Sequence, residues 1–199
     1  MTKKVVLILF PGAIAYELLT AAQVLSRKYA VEVATPTGAD HVDESGLVYR
    51  ASGAFADVDV ATCAGILIAG GGLLSIRDDA SLNALLRRAD DRQVVLGAIC
   101  AGPLALAEAG VLVGHSYTQA GSYPASDQHR WEGAELRREA VVVSGHIVTA
   151  LPEAHIAFGI EVGNQLGVFE SEEEAERQRG FYRGEYVRDW SKVGPVEGL

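Results

Sequence analysis

Short, almost wholly apolar runs separated by stretches of helical spacing dominate this chain. Lys4 to Phe10 (KVVLILF), Gly65 to Ala69 (GILIA) and Gln93 to Ile99 (QVVLGAI) are too short for buried helices and lack polar alternation. Each reads as a strand covered on both faces. Ala30 to Thr35 (AVEVAT) is a further strand, stopped by Pro36. Ala15 to Ser26 places Leu18, Ala22 and Leu25 on one helical stripe. Ser81 to Ala89 and Pro103 to Ala109 read as helices as well. This order implies right-handed βαβ crossovers. The fold class is therefore α/β, a doubly wound and mostly parallel sheet with helices on both faces, as in flavodoxin-like sandwiches.

The alternation then breaks. Ala140 to Val143 and Ile147 to Thr149 flank Ser144-Gly145-His146, the pattern of a hairpin. Glu153 to Leu166 returns to helix, with Pro152 suited to its first turn. Ser171 to Arg179 is polar and is followed by Phe181, Tyr182, Tyr186 and Trp190, aromatics that seek burial. We expect one α/β domain over 1–168, with 169–199 as its C-terminal helical extension.

The chain has 199 residues, 49% of them hydrophobic, enough for a single core. Its formal net charge of −9 argues against a binder of phosphate backbones, so no nucleic-acid partner is expected. No apolar run approaches a membrane span or a signal peptide, so no membrane partner is expected. Cys63 and Cys100 are too few for a disulfide scaffold and suit a reducing, cytoplasmic setting.

The most informative residues are Gly97-Ala98-Ile99-Cys100-Ala101-Gly102. An apolar strand runs directly into a helix, and a thiol sits at the join, like a nucleophile elbow with sulfur in place of oxygen. Glycines on both sides permit the strained turn. A thiol at a helix start meets amide dipoles that favour the thiolate, the nucleophilic form. Cys63 has no such frame and reads as a packing residue. In doubly wound sheets ligands gather at the carboxyl ends of the strands. There Pro11-Gly12 and Gly70-Gly71-Gly72 would join the elbow, and Gly70 to Gly72 could turn amides toward an oxyanion. Glu17, early in the first helix among apolar neighbours, is the candidate acid or base, with a pKa raised by burial. An ordinary first-turn carboxylate reads equally well there. No phosphate-binding loop or dinucleotide fingerprint is present, and no histidine pair has metal-ligand spacing, so neither cofactor nor metal is expected.

With Phe10-Pro11-Gly12 and Glu17, the Ile68-Ala69-Gly70-Gly71-Gly72 strand end, and Ala98-Ile99-Cys100-Ala101-Gly102-Pro103, the chain resembles the ThiJ/PfpI superfamily of the class I glutamine amidotransferase-like fold. The resemblance runs from Lys4 to about Gly167. The elbow is most similar to the branch containing the Parkinson-disease-associated protein deglycase. It implies Cys100 as nucleophile, Glu17 as a protonated carboxyl touching its sulfur, oxyanion-binding amides from Gly71 and Ala101, and a homodimer. Activities known in the superfamily include glyoxalase III chemistry, deglycation, isonitrile hydration, peptidase or amidase activity, and oxidative-stress sensing or chaperoning.

The chain also departs from the family's pattern. Ala101 stands where the peptidase-like branch has histidine, which counts against proteolysis. Thr118 to Pro124 lacks the histidine that the deglycase-like branch brings to the site, and offers Gln119, Ser122 and Tyr123. Ala150-Leu151-Pro152-Glu153 replaces a Ser-Arg-Gly-Pro-like turn. The isonitrile-hydratase-like branch prefers aspartate at the Glu17 position and a Cys-Thr-Gly elbow. Of the histidines, His115, His129 and His146 read as surface residues, whereas His155 starts the last helix and is the one placed to approach the site. The leading expectation is an enzyme acting on a small carbonyl compound without a cofactor. The alternatives are a non-enzymatic oxidation sensor or chaperone acting through Cys100, and amide or isonitrile chemistry.

Overall fold

The computed structural model describes residues 3–121 and 123–185. Ser122, Tyr186 and Trp190, named above, lie outside the described residues. The chain opens with β1 (Lys4–Ile8), α1 (Tyr16–Leu25) and β2 (Ala30–Thr35), then three two-residue strands, β3 (His41–Val42), β4 (Val48–Tyr49) and β5 (Gly53–Ala54). β6 (Cys63–Ile68), α2 (Ala80–Asp91), β7 (Val95–Ile99) and α3 (Pro103–Ala109) follow. The remainder is β8 (Ser116–Tyr117), β9 (Glu135–Leu136), β10 (Val141–Ser144), β11 (Ile147–Ala150), α4 (His155–Gln165) and α5 (Glu172–Tyr182).

One seven-stranded sheet runs β10-β11-β7-β6-β1-β2-β5. All its pairings are parallel except β10 with β11, the hairpin expected around Gly145. β1, β6 and β7 form the middle, and every residue of β6 and β7 is buried. That burial explains their uninterrupted apolar sequences. α1 packs with α4, and α2 with α3, so two helical layers enclose the sheet. β2 and β6 flank β1, and here the chain reverses its direction of winding. Such a switch point opens a crevice at the carboxyl ends of the central strands.

Local chemistry sets the helix ends. The Asp79 carboxylate accepts from Leu82 N at 2.8 Å and caps α2. Pro103 occupies the first turn of α3, and Gly110, at φ +78°, ends it. Ser171 caps α5, whose first turn carries Glu172, Glu173 and Glu174. α5 lies against α4 over a small apolar cluster of Val24, Ile160 and Ala175. Arg27, just past the end of α1, pairs with Glu174.

The structure corrects several boundaries. β1 ends at Ile8, because Leu9 and Phe10 already belong to the turn. Gln93 turns through φ +54° before β7 begins. β5, a two-residue edge strand, extends the sheet beyond the strands expected from apolar runs. His146 is not a surface residue. It is 8% exposed, and its Nε2 lies 2.9 Å from Asp90 Oδ1. His115 is half-buried, with Nδ1 3.1 Å from the Ser144 hydroxyl and its ring edge-on to His146. A carboxylate and a hydroxyl from distant segments make these polar contacts, which the local sequence does not reveal. His129 is exposed as expected. No helix among the described residues is long and apolar enough to cross a membrane.

Candidate active site

Three adjacent strands end at one place. β7 runs into the elbow at Cys100, β6 into Gly70-Gly71-Gly72, and β1 into Pro11-Gly12. Cys100 adopts φ +61°, a left-handed conformation that L-residues other than glycine rarely take. Two sheet-like hydrogen bonds hold it there, Cys100 N to Ala150 O and Ala120 N to Cys100 O, both 2.9 Å. The turn lifts the half-exposed thiol out of the sheet, whereas Cys63 is 1% exposed at the start of β6.

Glu17 descends from α1 and is 1% exposed. Its Oε2 accepts from Gly70 N at 2.9 Å, while Oε1 is buried with no hydrogen-bond partner. Gly70 shows how closely the groups converge. A Cβ there would lie 2.4 Å from Cys100 Cβ, 2.6 Å from Glu17 Oε2 and 2.8 Å from Cys100 Sγ. Gly71, at φ +112°, has no room for a side chain either, since a Cβ would meet Gly12 O at 2.2 Å. This geometry turns the Gly71 amide toward the Cys100 sulfur, which the Ala101 amide also faces.

Burial pushes the Cys100 thiol up to about 11, and the nearby Glu17 charge adds to the shift. The Ala101 and Gly71 amides pull the other way but do not prevail. This overturns the expectation of a thiol held below its ordinary range: α3 has only seven residues, and its start does not offset desolvation. Burial also raises the Glu17 carboxyl, as expected, against the Gly70 hydrogen bond. With both groups pushed up, the site resists a second negative charge.

The other expected residues divide. Tyr123 lies beside the elbow, with its hydroxyl at a long 3.5 Å from Ala101 O. Its ring leans on Trp131, which stacks on Tyr117. Burial raises the Tyr123 hydroxyl to about 12, with the Cys100 charge as the next cause. Gln119 directs its amide nitrogen to Gly121 O and leaves a buried Oε1 without a partner. Gly72 donates its amide to Gly12 O rather than to the site. His155 meets Thr20 Oγ1 at 3.4 Å and the Tyr16 ring edge, so its contacts are with α1. Among the described residues no cluster of metal-ligating side chains occurs.

Sequence reasoning missed the groups on either side of the elbow. Arg77 and Arg130 interlock with Glu108, Asp127 and Asp78 behind Tyr123. The turn from Asp43 to Gly46 binds the segment after β1, through Glu44 N to Ala13 O at 3.0 Å. Its Asp-Glu-Ser-Gly composition is a turn signal, but nothing in it tells which strand end it meets.

Comparison with known proteins agrees with this architecture. The family model of the DJ-1/PfpI family matches residues 3–165. Protein dj-1beta of Drosophila melanogaster is 30% identical over 178 residues, covering 83% of this chain and 90% of that protein. The crystal structure of Drosophila melanogaster DJ-1beta superposes with a TM-score of 0.74 at 27% identity, over 89% of this chain and 97% of that one. A DJ-1 superfamily protein from Agrobacterium tumefaciens superposes with a TM-score of 0.77 at 25% identity, over 92% of this chain and 98% of that one. With its elbow and switch-point crevice built in the same fold, this chain belongs to the DJ-1/PfpI family.

Proposed function

We propose that the protein is a cofactor-free enzyme that adds the Cys100 sulfur to small reactive carbonyl compounds, a role in stress defence. The observation that carries this reading is the convergence at Gly70 of the Cys100 sulfur, on a strained turn, with the buried Glu17 carboxyl. As the sulfur attacks an aldehyde carbon, the S–C bond forms and the C=O π pair moves onto oxygen. Glu17 takes the thiol proton, and the Gly71 and Ala101 amides face the charge that develops. With methylglyoxal the product is a hemithioacetal. Glu17 then carries a proton from the former aldehyde carbon to its neighbour, leaving a thioester that water cleaves to lactate and free thiol. The balance is methylglyoxal plus water to lactate and a proton.

Lactate formation from methylglyoxal in metal-free buffer tests the reading. Cys100→Ala should abolish turnover, and Glu17→Gln should lower it by ~10²–10⁴-fold. Full activity of Cys100→Ala, or no turnover by the unmodified chain, overturns it. The second reading, a redox role, is supported by the contrast between half-exposed Cys100 and buried Cys63. It predicts peroxide adding two oxygens at Cys100 and none at Cys63, without aldehyde turnover. Either reading is proposed for a homodimer.

A further inference from the structure

We propose that Glu44 is a specificity-determining residue of the Cys100 site, a carboxylate at its mouth that admits neutral electrophiles and turns away anionic ones. This rests on the reading that Cys100 is the reacting group. The turn carrying Glu44 is rigid. Asp43 Oδ1 accepts from Ser45 N at 2.9 Å, Ser45 Oγ at 2.6 Å and Leu47 N at 3.0 Å. Asp43 is thus occupied by its own turn, while Glu44 is exposed. Glu44 N donates to Ala13 O, and Ala13 forms a β-bridge with Gly71, whose amide faces the sulfur. The turn is therefore fixed to the strand end that builds the site.

The charge from outside the Cys100–Glu17 pair that bears on Glu17 is this same carboxylate, and it raises the Glu17 carboxyl further. Arg77 and Arg130, beside Tyr123, are engaged by Glu108, Asp127 and Asp78, so their charge is neutralised at short range. An anion approaching a sulfur that must itself become negative therefore meets repulsion from Glu44. A neutral molecule does not meet that repulsion. The substrate class implied is neutral oxoaldehydes, with oxo acids excluded.

Iodoacetamide and iodoacetate test this, since they are close in size and differ in charge. Each loses iodide as the sulfur forms the S–C bond, and the thiol proton passes to Glu17 or solvent. Alkylation at Cys100 is followed by mass spectrometry at low and at 0.5 M salt, with 2-mercaptoethanol as the reference thiol. The amide-to-acetate rate ratio should exceed that of the reference at low salt and contract at high salt. Glu44→Gln should lower the ratio by about threefold, the order expected for one solvent-screened charge near the reacting sulfur. Glu44→Lys should lower it further. A ratio unmoved by both substitutions overturns the proposal. Methylglyoxal turnover by the unmodified chain separates the two claims: turnover with a flat ratio sinks the filter alone, and a responsive ratio without turnover sinks the carbonyl reading alone.

Discussion

A methyl group at Gly70 probes the tightest point of the site. The 2.4 Å and 2.6 Å approaches to Cys100 Cβ and Glu17 Oε2 leave no space for it. Gly70→Ala should separate the pair, cost about 1–3 kcal/mol as overpacking does, and lower methylglyoxal turnover more than tenfold with the circular dichroism spectrum unchanged. Titration is the second probe at this scale. The unmodified thiol, pushed up to about 11, should react with iodoacetamide along a profile rising well above the ordinary value of 9.0. Glu17→Gln removes a charge that raises the thiol, so its profile should shift to lower pH; an unchanged or higher midpoint contradicts the coupling. The sign for stability follows from the same shift. The fold holds the thiol proton more tightly than the unfolded chain does, so this contribution is present below pH 9 and is lost as pH rises toward about 11. Cys100→Ser should flatten the alkaline limb of stability measured by urea titration over that window.

At the scale of elements, the partly buried ion cluster ties the turn at Asp78 to α3 and to the segment 125–131. Arg130 approaches Asp78 at 2.5 Å and Asp127 at 3.3 Å, and Glu108 is 2% exposed. Removing Arg130 leaves Glu108 and Asp127 to share Arg77 alone, so Arg130→Met should destabilise the protein by about 1–3 kcal/mol in urea titration. Pairing it with Asp127→Asn should recover part of the loss, because an unpaired carboxylate disappears. An effect under about 0.5 kcal/mol would make the cluster an ordinary surface network. This cluster also shows what the sequence conceals. The central strands were legible because burial on both faces writes itself as an unbroken apolar run, and the elbow because glycines bracket a cysteine at a strand end. Glu17 was readable as a candidate acid from its apolar neighbours. Arg77, Glu108 and Arg130 carry no local signal, since each gains its meaning from a partner 22 to 52 residues away. β3, β4 and β5 have two residues each, too few for a period to show. The direction of the Cys100 shift was misread for a related reason: the helix start is visible in sequence, but the depth of burial that outweighs it is not.

At the scale of the whole molecule, one face is left apolar. Tyr16 is 53% exposed, Leu19 47%, Leu47 58% and Val48 70%, and Tyr16, Leu19 and Leu47 line the same depression between α1 and the β3–β4 turn. A chain of net charge −9 gains solubility from its acidic surface, yet this patch interrupts it. A second copy is the occupant that the proposed homodimer supplies, and a two-fold contact would lay the patch against itself. Sedimentation equilibrium of the full chain should then give twice the 21.1 kDa chain mass. Leu19→Glu and Leu47→Glu each place a charge in the contact and should return the monomer mass at micromolar concentration. Val113→Glu, at an exposed position outside this depression, should leave the dimer intact. A monomer for the unmodified chain, or a dimer indifferent to both charges on the patch, would assign this face to solvent.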